Sequence, residues 1–277
     1  MKRSLPAKLL YNVIAWAVVF AVAFPLLWMI TTALKPQTEL FAFPPTLLPK
    51  QPTLAYFGRL LFETPFPRYF LNSVVVASAT TAVVIVIATL GAHSLVRFDY
   101  PGRRLGAQAV LFTYLLPPVV LVLPLYLLMA WLGLVNTLLS LVLAYTTFAL
   151  PFSLWLLRSF MASIPADIEA AALVDGASRM GAFFDVILPQ ALPGIISTAL
   201  FSFILAWNEY LYALILINED AKKTLPPGVT TMLTGTFNIE WSLLMAASVM
   251  MSVPVILAFA FLQKHLTRGF GAGAVKG

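Results

Sequence analysis

The chain has 277 residues, of which 61% are hydrophobic and only 10% are charged, and its mean hydropathy is +0.92. Soluble globular domains carry roughly 25% charged residues, so this composition predicts an integral membrane protein. The chain has no cysteine, which excludes disulfides, thiol catalysis and cysteine metal sites.

The N-terminus is basic and precedes an apolar run, as in a secretory signal peptide. The apolar core of a signal peptide, however, has about 7–15 residues. Here the uncharged run extends from Leu10 to Leu34, which is long enough to cross a bilayer. It therefore predicts a retained first span.

Six segments reach the roughly 20 apolar residues that a transmembrane helix needs. They are Leu10–Leu34, Phe70–Val96, Leu105–Leu132, Thr137–Leu157, Leu192–Ile217 and Trp241–Leu262. Prolines occur inside several of them, where they kink a helix and free carbonyl groups. Packing irregularity is the favoured interpretation of these prolines, and a flexible or pore-lining span is the alternative. Pro117 and Pro118, with Pro124, make the third span the best candidate for that alternative.

Basic residues predict the orientation. Eleven of the 17 lysines and arginines lie on the side of both termini. By the positive-inside rule, the termini are expected to be cytoplasmic. The basic charge thus reflects topology, and no nucleic-acid partner is expected. Two long loops, 35–69 and 218–240, are placed outside.

The segment between spans four and five is polar and predicted to be cytoplasmic. Pro165 suits a first helical turn, Gly176 can end that helix in a left-handed conformation, and Ser178 can cap a second one. The second helix carries an apolar stripe, and Pro189 is expected to stop it before span five. The stripe consists of Met180, Phe183, Phe184 and Ile187.

Two partners are compatible with this hairpin. An interfacial helix would lie in the lipid headgroups, but such helices carry lysine and arginine on the polar face. This segment carries mostly acids, among them Asp167, Glu169, Asp175 and Asp185. Anionic lipids repel acids, so a cytoplasmic protein partner is favoured.

The hairpin resembles the "EAA" loop of the membrane subunits of binding-protein-dependent ABC importers. The matching pattern is Ala171-Ala172, Asp175-Gly176, then Val186, Leu188 and Pro189. The wider chain resembles the carbohydrate uptake branch, in particular the MalG-type permeases of maltose importers. Four further blocks carry that resemblance: Asn72-Ser73, LPLYLLMAWLGLVNT (123–137), PFSLWLLRSFMASIP (151–165) and AWNEYLYAL (206–214), together with the GAVKG ending.

The resemblance implies an all-α membrane protein with six transmembrane helices, the type I ABC importer permease fold, and a cytoplasmic coupling helix between spans four and five. It divides the chain into a cytoplasmic N-terminus (1–9), a first span (10–34), an extracytoplasmic loop (35–69), a permease core (70–263, coupling segment 163–189) and a cytoplasmic tail (264–277).

The resemblance assigns ATPase coupling to one set of residues: Glu169, Ala170, Ala171, Asp175, Gly176, Ala177, Ser178, Phe183, Leu188 and Pro189. One position departs from the pattern. Counting back from Gly176, the usual motif glutamate falls on Ala170, and the acid stands one residue earlier, at Glu169. About 100° of helix rotation separates these two positions.

The sequence contains no G-x-x-x-x-G-K-[ST] phosphate-binding loop. If the chain is an importer subunit, ATP and Mg²⁺ are therefore expected on a separate ATPase dimer. This chain itself is expected to bind no cofactor or metal. The resemblance also implies a MalF-like second permease subunit and an extracytoplasmic sugar-binding protein that contacts loop 218–240. The tail from Gln263 is expected near the ATPases, and the chain itself is expected not to be an enzyme.

Four polar or aromatic residues in the spans are candidates for the translocation path: Asn72, Trp207, Asn208 and Glu209. An ionised carboxylate in a helix usually faces a bundle interior or a water-filled path. Each residue also has a structural alternative. Asn208 and Glu209 can join spans by hydrogen bonds, Trp207 can pack, and Asn72 can cap a helix or contact a neighbouring one. His93 is expected to be structural.

The function favoured by the sequence is import of a sugar, with a di- or oligosaccharide preferred, by alternating access driven by ATP. Another solute, such as glycerol phosphate, is the first alternative. An ion-coupled secondary carrier would show internal repeats and more intramembrane charge. An intramembrane enzyme would show a catalytic cluster, and the sequence contains no H-E-x-x-H motif.

Overall fold

The structure is a computed structural model that describes the backbone of residues 5–234 and 240–271, and the side chains of residues 11–232 and 240–261. All regular structure in these ranges is helical, as the sequence predicts. The helices are α1 (Leu5–Ala33), α2 (Gln37–Leu40), α3 (Ala55–Phe62), α4 (Phe66–Arg97), α5 (Arg103–Tyr114), α6 (Pro118–Trp131), α7 (Leu138–Ala162), α8 (Ala166–Val174), α9 (Arg179–Gly181), α10 (Leu188–Trp207), α11 (Leu211–Leu216), α12 (Leu225–Thr234) and α13 (Trp241–Gly271). A π-helical segment (Ala182–Ile187) joins α9 to α10, and a 3₁₀ turn (Asp220–Lys222) precedes α12.

Five continuous helical stretches are long and apolar enough to cross a membrane, and a sixth candidate is a bent pair. The stretches are Tyr11–Ala33, Phe66–Arg97, Leu138–Ala162, Arg179–Trp207 and Trp241–Phe261. Two of them correspond closely to predicted spans one and six. The stretch that corresponds to predicted span four continues five residues beyond Leu157, because residues 158–162 include neither glycine nor proline.

The predicted third span is interrupted in the structure, as its prolines indicate. The structure divides it into α5 and α6, whose axes differ by 104° at the break. Pro117 and Pro118 explain the break, because proline lacks an N–H and disfavours helical geometry in the residue before it. Single prolines are tolerated elsewhere, since α7 is continuous through Pro151 and α13 through Pro254.

The fifth span also differs from its prediction at both ends. Its helix ends at Trp207 instead of Ile217, and α11 follows after a short break. At the other end, Pro189 does not stop the hairpin helix, because it lies in the first turn of α10, where its missing N–H costs little. The second helix of the hairpin is therefore continuous with the fifth span through the π-helical segment.

The chain forms two compact units. The first contains Met1–Pro67 and Val229–Val253, and the second contains Arg68–Gly228 and Pro254–Gly277. In the first unit, the carboxylate of Glu39 accepts hydrogen bonds from the Thr46 hydroxyl at 2.7 Å and the Lys50 amide at 3.0 Å, so the proline-rich loop after α1 is ordered around it. The Thr46 hydrogen bond is the largest cause of the lowered pKa of Glu39.

The second unit is organised around α7 and α10. Gly194 on α10 faces Phe160 of α7 so closely that an added Cβ would lie 2.5 Å from the Phe160 ring. The buried hydroxyls of Ser153 and Ser202 share a hydrogen bond of 3.1 Å between the same two helices. Small and hydroxylated residues of this kind are the usual means of bringing membrane helices together.

Candidate functional site

The hairpin between predicted spans four and five begins with α8, which ends as the sequence predicts. Gly176 has φ 91°, a left-handed conformation that glycine adopts without strain. The Ala177 amide donates to the Ala172 carbonyl at 3.0 Å, and the Gly176 amide donates to the Leu173 carbonyl at 3.2 Å. These two bonds form the Schellman motif, which satisfies carbonyls at the end of a helix.

The turn leads directly into the second half of the hairpin. The Ser178 hydroxyl accepts a hydrogen bond from the Gly181 amide at 3.0 Å, which confirms its predicted capping role. The π-helical segment then alters the predicted apolar stripe. Phe183, only 4% exposed, and Ile187 point into the protein, whereas Met180 and Phe184 are 63% and 50% exposed. A π-helical turn contains an additional residue, so the stripe divides between two faces.

The inward face anchors the hairpin to the spans. Its buried core is contributed by α4, α7, the turn after α7, and the π-helical segment with α10; it contains Ala88, Ala92, Leu157, Met161, Ile164, Phe183, Ile187 and Ala191. The outward face is the candidate docking surface, which we define as Ala170, Ala171, Val174, Asp175, Gly176, Met180 and Phe184; all are exposed. Of the other predicted coupling residues, Ser178 and Pro189 are exposed, Ala177 and Leu188 are half-buried, and Phe183 belongs to the anchor.

Glu169 does not share the exposure of its neighbours. Its side chain is 13% exposed, and one carboxylate oxygen lies 2.9 Å from Arg97 Nε. The other oxygen lies 3.4 Å from His93 Nε2. Arg97 and His93 were not among the predicted site residues. Their partner lies about seventy residues away along the chain, and no local spacing indicates that contact.

The four predicted path residues do not form a single cluster of free polar groups. Trp207 is 2% exposed and packs edge-on against Phe70 and stacks on Phe203, with ring centroids 5.6 Å apart in both pairs. The Asn72 amide donates to the carbonyls of Ala221 at 3.0 Å and Lys223 at 2.9 Å. Asn72 therefore anchors the loop that precedes α12.

Glu209 lies in the break between α10 and α11. Its carboxylate accepts hydrogen bonds from the amides of Tyr212 at 2.9 Å and Ala213 at 3.2 Å. These amides belong to the first turn of α11, where a helix leaves N–H groups unpaired. Glu209 thus caps the short helix that follows it. Its neighbour Asn208 is exposed and donates to the Ile204 carbonyl at 2.9 Å.

The two helix breaks of the second unit are joined. The Tyr212 hydroxyl, at the start of α11, donates to the Pro118 carbonyl at the start of α6 at 2.7 Å. Beside them lies a mainly apolar cavity of about 480 Å³, lined by Thr113, Tyr114, Leu116, Pro118, Leu121, Thr147, Phe148 and Leu205. Non-helical backbone at membrane depth is tolerated where it is buried in protein or lines a cavity, and this pair of breaks fits that rule.

The loop after α11 is held by polar contacts from three directions. The Asn136 side-chain oxygen accepts from the amides of Asn218 and Glu219, and the Tyr69 hydroxyl donates to Asp220 at 2.8 Å. Lys223 Nζ lies 3.0 Å from the same carboxylate. The Tyr69 hydrogen bond and then Lys223 hold the pKa of Asp220 below its usual value.

Comparison with known proteins identifies the family. Residues 101–271 match the family described as "Binding-protein-dependent transport system inner membrane component". The chain is 35% identical to the diacetylchitobiose uptake system permease protein DasC of Streptomyces coelicolor, over all of both chains. It is also 35% identical to the trehalose/maltose transport system permease protein MalG of Thermococcus litoralis, over 92% of this chain and 91% of that one.

A solved structure supports the fold. The crystal structure of a bacterial ABC transporter involved in the import of the acidic polysaccharide alginate contains a chain that superposes with a TM-score of 0.81 at 21% identity, covering 95% of this chain and 99% of that one. The fold is therefore that of an ABC importer permease. The chain belongs to the family of binding-protein-dependent transport system inner membrane components, as a multi-pass permease subunit rather than an enzyme.

Proposed function

We propose that this chain forms half of the translocation path for a di- or oligosaccharide that an external binding protein delivers. The similarity to the diacetylchitobiose and trehalose/maltose permeases, along nearly the whole chain, carries this proposal. The family description supports the binding protein as a partner. A MalF-like second permease subunit and an ATPase dimer that holds ATP and Mg²⁺ complete the importer.

The docking surface is the proposed contact with the ATPase. Its exposed alanines and glycine allow close approach, and Val174, Met180 and Phe184 offer apolar side chains at the tip of the hairpin. Buried Phe183 and half-buried Leu188 hold this surface on the spans. The arrangement supports the segment 163–189 as the coupling segment within a core of residues 70–263.

Gly176→Arg tests the docking assignment. The substitution adds a bulky charge and forces an arginine into a left-handed conformation, at a cost of about 1–2 kcal/mol. We expect the ATPase to be lost on co-purification and uptake to be abolished. Gly102→Arg is the matched control, because Gly102 also has positive φ and open space around it but lies outside the hairpin. Retention of the ATPase by Gly176→Arg would contradict the assignment.

The substrate class is tested on the cognate binding protein. A sugar present at about 100 times its Kd stabilises its binding protein by about 2.7 kcal/mol, which a thermal-shift screen detects readily. We expect stabilisation by di- or oligosaccharides, followed by uptake of the same sugar by the reconstituted importer. Stabilisation by glycerol phosphate alone would replace the sugar assignment and leave the importer assignment intact.

The proposed orientation places both termini, residues 1–9 and 264–277, in the cytoplasm of a prokaryotic inner membrane. Since the chain has no cysteine, single cysteines can report on sidedness. Asp175→Cys should react with an impermeant maleimide only after the cells are opened, and Asn218→Cys should react in intact cells. The reverse pattern would invert the topology.

A further inference from the structure

The carboxylate of Glu169 is turned away from the docking surface. Asp167 and Ala170, on the same helix, are exposed, whereas the Glu169 side chain is 13% exposed. A buried carboxylate is retained only where a partner compensates its lost hydration. The structure provides that partner on α4, a helix that precedes the hairpin in the sequence.

Arg97 is the main partner, and its own position is fixed from a second direction. While Nε lies 2.9 Å from Glu169, Nη2 donates to the Ile164 carbonyl at 2.8 Å, in the turn between α7 and α8. The Arg97 side chain is 11% exposed. One guanidinium therefore links the end of α4 to both the start and the body of the hairpin.

His93 extends this link to the second half of the hairpin. It lies one helical turn before Arg97 on α4, with Nε2 3.4 Å from the other Glu169 oxygen. Its ring also contacts Phe183 of the π-helical segment, at 4.7 Å between centroids, and Phe98 at 5.6 Å. The inner end of α4 thus contacts both arms of the hairpin through charged and aromatic side chains.

We infer that Glu169 is a positioning residue, which through Arg97 and His93 locks the hairpin to the inner end of α4, so that displacement of the hairpin is transmitted to that span. This inference rests on the proposed coupling function of the hairpin. Glu169 acts within the chain, where it links the hairpin to α4. The docking surface, and not Glu169, makes the contact with the ATPase. The ion pair is nearly buried, so solvent screens it less than a surface pair, and the hydrogen bond of Arg97 to the Ile164 carbonyl holds the guanidinium from a second direction.

The test compares Glu169→Gln with Asp167→Asn in the importer reconstituted with its partner subunits and binding protein. Both substitutions remove one negative charge from α8, but only Glu169 is paired with Arg97. We expect Glu169→Gln to retain the ATPase on co-purification. The amount of sugar transported per ATP hydrolysed should fall about tenfold, which corresponds to an interaction free energy within the range found for residues of one ion-pair network. Asp167→Asn should match the unmodified chain.

A double-mutant cycle separates a shared link from two independent effects. Arg97→Gln should lower the coupling ratio as much as Glu169→Gln does, and the double variant should fall no further. Arg97→Lys keeps the charge and should recover part of the ratio. The double variant also leaves no unpaired buried charge, so it decides the question if either single variant fails to assemble.

Three results would overturn the inference: unchanged coupling in Glu169→Gln, loss of the ATPase in that variant, or a double variant whose decrease equals the product of the single decreases. Loss of the ATPase would make Glu169 a docking residue and leave the importer assignment standing. Failure of the unmodified chain itself to retain an ATPase would instead contradict the proposed function.

Discussion

The hairpin and the interrupted fifth span each place a glutamate near a helix end, yet the two carboxylates have different roles. Glu169 lies 2.9 Å from an arginine on another helix. Glu209 accepts hydrogen bonds from amides three and four residues ahead of it. The first contact joins elements distant in sequence, and the second completes a local turn. A substitution at Glu169 should therefore alter communication between elements, while one at Glu209 should alter the stability of α11.

The largest expected effect concerns the anchor of the hairpin. Phe183→Ala removes a buried aromatic side chain and should lower the free energy of unfolding by about 3–5 kcal/mol. Phe184→Ala, the adjacent and exposed residue, should leave thermal stability nearly unchanged but weaken ATPase binding about tenfold. Thermal unfolding of the assembled importer and titration with the ATPase measure the two effects. Equal destabilisation by both substitutions would show that the π-helical segment does not separate the two faces.

A smaller effect is expected at the interruption of span five. Glu209→Ala leaves two amides of α11 without their acceptor and should cost about 1 kcal/mol, as loss of a helix cap does. Glu209→Gln retains an acceptor oxygen and should recover part of that stability, with no change in the apparent affinity of uptake. If Glu209→Gln changes this affinity while assembly is normal, Glu209 belongs to the translocation path. Asn208→Ala, at the exposed neighbour, is the control for thermal stability.

The smallest effect is expected in the loop that follows α11. The pKa of Asp220 is lower in the folded protein than in the unfolded chain, so its contribution to stability is present above the ordinary pKa of 3.8 and is lost as pH falls through the folded value. The carboxylate is half exposed, and solvent screening keeps this contribution small.

Asp220→Asn should therefore lower the melting temperature slightly at pH 6 and have less effect near pH 3. Asp167→Asn, which changes an exposed acid of the hairpin, should show no such difference between the two pH values. A larger effect of Asp220→Asn at pH 3 than at pH 6 would contradict the sign of the pKa shift.

The parts of this structure that the sequence predicts are those governed by local rules. The left-handed Gly176 and the Ser178 cap depend on neighbours within a few residues, and both are confirmed. The composition and the lengths of the apolar runs likewise predict an all-helical membrane fold, and motifs within short segments indicate the family.

The features that the sequence does not predict depend on distant contacts or on proline in unusual settings. Nothing near Glu169 indicates that Arg97 is its partner, because the contact forms only when α8 folds back against α4. Pro189 in the sequence suggests the end of a helix, although a proline in the first turn of a helix is compatible with continuation. Pro117-Pro118 indicates an irregular third span, but the size of the bend depends on tertiary contacts such as that of Tyr212 with Pro118.

The π-helical segment has a consequence for insertions and deletions. It holds one residue more per turn than the α-helices on either side, so a single deletion between 182 and 187 can be absorbed by conversion to regular α-helix. Because a π-turn accommodates its additional residue without rotating the helix on either side, such a deletion would leave the faces of the hairpin and of α10 as they are. A deletion within regular α10 would instead rotate the hairpin by about 100° relative to the span. The π-helical segment is therefore a place where the chain length can change without altering which side chains the hairpin presents to its partner.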